Sequence, residues 1–104
     1  MHIDDLIQHL LEALPTINNE SQAQLFLQNF GFSDQMALVS AYYIGIKHLQ
    51  ENELMPDTGR LHRTQHDHIE PSGYSDIIYK KRLAISNAMS SFQRCTTQQQ
   101  RDNF

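Results

Sequence analysis

The chain of 104 residues has room for one domain with a modest core, and a hydrophobic share of 39% with a net charge of −4 is the composition of an ordinary soluble protein. No apolar run reaches the roughly 20 residues that a membrane-spanning helix needs, and Asp4 and Asp5 stand where a secretory signal would carry Lys or Arg. These features exclude a spanning helix, and the expected location is the cytoplasm, in keeping with a single cysteine, Cys95, that cannot form an internal disulfide.

Ile3, Leu6, Ile7, Leu10, Leu11 and Leu14 recur at the spacing of one helical stripe, with Asp4 and Asp5 near the positive end of the helix dipole and Pro15 as the stop. Asn19 followed by Gln22 has the form of an N-cap with a partial capping box. It introduces a short helix whose apolar positions are Ala23, Phe26, Leu27 and Phe30 and which Gly31 ends. Ser33 is placed to cap a long third helix that runs to about Gln50.

That third helix is the centre of the molecule. It is apolar at Met36, Ala37, Leu38, Val39, Ala41, Tyr42, Tyr43, Ile44, Ile46 and Leu49, so it must be covered from several directions. Gly45 costs about 1 kcal/mol relative to Ala inside a helix and marks a close crossing.

Residues 51 to 72 carry Pro56, Gly59 and Pro71 and no sustained period, which predicts a long loop. A last helix follows, with a stripe of Tyr74, Ile77, Ile78, Ile85, Ala88, Met89 and Phe92 and with Lys81 on or near it, and it frays after Cys95. The predicted organisation is an all-α single domain over residues 1–95, a bundle of about four helices, with residues 96–104 as a polar, disordered tail.

Charge divides the chain. Up to Gly59 eight acidic residues stand against Lys47 alone, a balance of −7, whereas from Arg60 onward seven basic residues outnumber four acidic ones, a balance of +3. The halves can complement each other within one chain or between copies.

The chemistry candidates are few. His62, His66 and His68, beside Asp67 and Glu70, supply donors suited to zinc, nickel or copper, and in a helix His62 and His66 would share a face. There is no HExxH and no cysteine partner, so the cluster reads as exposed histidines, with metal binding as the alternative function. His2, His9 and His48 read as surface or helix-flank residues. No catalytic motif or phosphate loop occurs, all four glycines being isolated, and neither an enzyme nor a bound cofactor is expected. A helix-turn-helix reading of the second and third helices fails because Asp34 opens the would-be recognition helix, which has no base before Lys47. No nucleic-acid partner is expected.

Asp34, Gln35, Leu38, Val39, Ile44 and Gly45 form an acidic-Gln-x-x-Leu-Val, then aliphatic-Gly, pattern. It resembles a small bacterial domain family of unknown function; where that family carries Arg after the glycine, this chain has Ile46. The resemblance implies a small helical bacterial protein and no activity. By elimination the expected role is protein–protein contact as adaptor, regulator or subunit. The all-round apolar third helix further predicts a homodimer with Tyr42 or Tyr43 at its interface.

Overall fold

A computed structural model describes residues 1–49 and 61–104. Its described residues form six α-helices and no strand: α1 (Ile3–Ala13), α2 (Glu20–Leu27), α3 (Phe32–Lys47), α4 (Tyr74–Lys80), α5 (Arg82–Arg94) and α6 (Gln98–Asp102). Ile3, Leu6, Ile7 and Leu10 bury the stripe of α1, and the His2 ring caps the helix by accepting a hydrogen bond from the Asp4 amide at Nδ1. Pro15 lies in a short 3₁₀ turn, Leu14–Thr16, that turns the chain toward α2.

Asn19 does cap α2: its Oδ1 accepts from the Gln22 amide at 2.8 Å, while Gln22 Oε1 accepts from the amide of Asn18, one residue earlier than in a regular capping box. At the far end of α2, Gln35 reaches back from α3. Its Nε2 donates to the carbonyls of Leu27 and Phe30 at 2.8 and 2.9 Å, satisfying acceptors that the end of a helix leaves open. Ser33 is not the cap of α3. That helix starts two residues earlier than such a cap implies, at Phe32 with Gly31 as N-cap, and the Ser33 hydroxyl accepts instead from Arg63 Nη1.

α3 runs through the core, as its composition requires. Ala37, Leu38, Val39, Ser40, Ala41, Tyr42, Ile44 and Gly45 are all buried. The cover comes from this chain itself, with α1, α4 and α5 packed against it. At Gly45 the predicted close crossing is present, the partner being Ala88 of α5.

The last predicted helix is two. Lys81, at φ −100° and ψ 7°, ends α4 and opens α5. Arg82 fills the gap, with Nη1 donating to the Tyr79 carbonyl at 2.7 Å and its guanidinium lying 4.4 Å from the centre of the Tyr79 ring. The apolar spacing runs on through the break, from Ile78 to Ile85 seven residues later, so periodicity alone shows one helix where the structure has two. The bend lets α4 pack on α2 while α5 packs on α3.

Residues 96–104, expected as a disordered tail, dock on the body. Thr97 and Gln100 form a capping box for α6, and Arg101 Nη1 donates to the carbonyls of Gln93 and Thr96 while its Nε lies 3.2 Å from Asp4. Asp102 accepts from His2 at 2.8 Å, and Phe104 is buried with its ring 5.1 Å from that of Phe92. Polar composition misleads here because one arginine and one terminal aromatic supply the docking contacts.

Candidate functional site

The predicted long loop divides at the edge of the described residues: positions 50–60 lie outside them, and positions 61–70 form a chain of tight turns on α3. Backbone bonds Gln65 to His62, Asp67 to Thr64 and Ile69 to His66, each 3.0–3.1 Å, wind the segment. It is fixed from both sides. The buried Ser40 hydroxyl of α3 donates to the Arg63 carbonyl at 2.8 Å, and Leu61 and Ile69 pack into the core.

Arg63 then ties its segment to three other parts of the chain. Its Nε donates to the Phe104 carbonyl at 2.7 Å, Nη1 to Ser33 Oγ at 3.1 Å and to Asp34 Oδ1 at 3.0 Å, and Nη2 to the Met1 carbonyl at 3.0 Å. The planar fork of guanidinium donors suits this, since a lysine offers one point charge. Burial pushes the Asp34 carboxyl upward, but the hydrogen bonds and positive charges of the Met1 amine and Arg63 outweigh it and hold the group below the ordinary carboxylate value. Asp34, Gln35 and Gly45, three residues of the pattern noted in the sequence, thus each have a structural task.

The three histidines take different surroundings. His66 lies over Tyr43, ring centres 5.3 Å apart and 24° from parallel, and His68 is tilted against His66 at 5.8 Å. The His66 Nδ1 is buried with no hydrogen-bond partner among the described residues. Burial, then the charge of Lys47 and the neighbouring His68, lowers its pKa below the usual imidazole value. His62 is engaged locally, its Nδ1 2.7 Å from Thr64 Oγ1. No three His, Cys, Asp or Glu side chains among the described residues converge as a metal would require, so the alternative ligand set of His62, His66 and His68 is not assembled among them. Of the three, His66 packs the segment on α3 through Tyr43, while His62 and His68 are exposed.

Tyr42 and Tyr43 serve the same junction. Tyr42 is 4% exposed, its ring edge-on to Tyr43 at 5.1 Å, and Tyr43 is half-buried under His66. Tyr42 therefore offers no surface to a second copy, and Tyr43 only a partial one, because the 61–70 segment occupies that side of α3. Cys95 is buried too, its Sγ 4.0 Å from the His48 carbonyl.

The exposed apolar side chains are elsewhere. Phe32 is 67% exposed at the start of α3 and Leu25 64% exposed on α2, while Leu83 of α5 is 89% exposed. Phe32 stands at a corner whose neighbouring aromatics are locked: Phe26 and Phe30 pack at 5.2 Å, His9 of α1 lies 6.0 Å from Phe30, and the two Gln35 bonds hold the backbone. The sequence carries a signal for it. Phe32 follows the last apolar position of α2 and precedes the first of α3, so it belongs to neither buried stripe.

These features define a small all-α domain with an aromatic corner between α2 and α3 and a clamped histidine segment. Comparison with protein-family models, curated proteins and solved structures finds no match to this chain.

Proposed function

We propose that the protein works in the cytoplasm by protein–protein contact, as an adaptor, regulator or subunit of a larger assembly, with the α2–α3 corner as its contact point. The observation that supports this is the Phe32 ring, two-thirds exposed on a backbone held by the double hydrogen bond of Gln35. Single exposed apolar side chains are common on protein surfaces. A large aromatic on a pre-fixed corner is a better contact than most, because it offers apolar area with little conformational freedom left to lose on binding. In this reading neither catalysis nor a cofactor takes part, and neither nucleic acid nor a membrane is the partner. The resemblance to a bacterial family fits it without adding an activity.

A second copy of the chain is the simplest partner of this kind, and with α3 covered internally a homodimer would use the corner rather than Tyr42. The histidine alternative draws no support from the geometry, because His62 is engaged with Thr64 while His66 is committed to Tyr43.

The test compares wild type with Phe32→Asp, in pull-downs from cells that produce the protein and in sedimentation over a range of concentrations. A discrete partner, or a dimer, present with wild type and lost with the variant supports the proposal. Retention by both removes the corner from it, and a monomer without any partner overturns it.

A further inference from the structure

We draw no further inference here: the strongest candidate, the cleft of about 360 Å³ between Leu49 and the Ala84, Asn87, Ser90 and Arg94 side of α5, carries nothing because nothing in the structure shows what covers it.

Discussion

Gly45 and Ala88 are in backbone contact: a Cβ placed on Gly45 would lie 2.7 Å from the carbonyl carbon of Ala88 and nearer still to its oxygen. α3 and α5 can approach this closely only because one of the two crossing positions has no side chain. The crossing brings Ile44 of α3 and Ile85, Met89 and Phe92 of α5 into one buried cluster.

Gly45→Ala is expected to lower stability by up to about 2 kcal/mol. Alanine improves helix propensity by about 1 kcal/mol, but overpacking against a rigid neighbour costs about 1–3 kcal/mol, and a helix carbonyl cannot rotate away as a side chain would. Gly73 has open space around its would-be Cβ, so Gly73→Ala should stay within about 0.5 kcal/mol of wild type. Urea denaturation of both variants decides the matter, and equal midpoints would show that the crossing opens freely.

Arg63→Met keeps the apolar stem and removes the bonds to Ser33, Asp34, Met1 and Phe104. A loss of about 2–3 kcal/mol is expected, since hydrogen bonds to a charged group are the costly ones to break. Hydrogen exchange should also speed up at the amides of Asn103 and Phe104, which belong to the clamped end. A variant with unchanged stability and exchange would remove Arg63 from its position as the tie between segments.

Stability should fall as the pH drops below that of an ordinary histidine. The His66 pKa is lowered in the fold, so below about 6.5 the unfolded chain takes up the proton first and is favoured, and the loss continues until His66 protonates in the folded state. His66→Phe preserves an aromatic ring against Tyr43 and removes the titration. The stability of wild type relative to this variant should therefore decline as the pH falls below about 6.5; parallel pH profiles would contradict the buried Nδ1.

Asp34 acts in a lower range. Its pKa is held below the ordinary 3.8, so its contribution is complete above that value and disappears as the pH falls through the lowered one. Asp34→Asn should be less stable than wild type at pH 7, with the gap closing toward pH 2. A gap that stays constant would assign the loss to packing.

Phe104→Ala should cost about 3 kcal/mol, because it empties the space against Phe92 and releases α6 from the body. Thr97→Ala should cost about 1 kcal/mol or less by removing the cap of α6 alone. If thermal melts of both variants match wild type, the end of the chain adds nothing to the fold.

How much was legible in the sequence follows from the range of each interaction. Helices α1, α2 and α3 rest on local rules, apolar spacing and an N-cap at Asn19, which act over a few residues and can be read in order. The glycine at a crossing was equally visible, since only a close approach justifies Gly45 inside so apolar a helix. Tertiary structure alone decided the rest. The break at Lys81 preserves the apolar period and depends on which helices α4 and α5 meet. The clamp of Arg63 joins residues 29 to 62 positions away, and the docking of α6 joins Arg101 and Asp102 at its C-terminal end to Asp4 and His2 at the opposite end of the chain. Likewise the three histidines share a segment in sequence but not one set of neighbours, because the turns place His66 on Tyr43 with His68 against it and leave His62 beside Thr64. Spacing along a chain determines which side chains are near one another only while the chain keeps a regular repeat, and residues 61–70 have none.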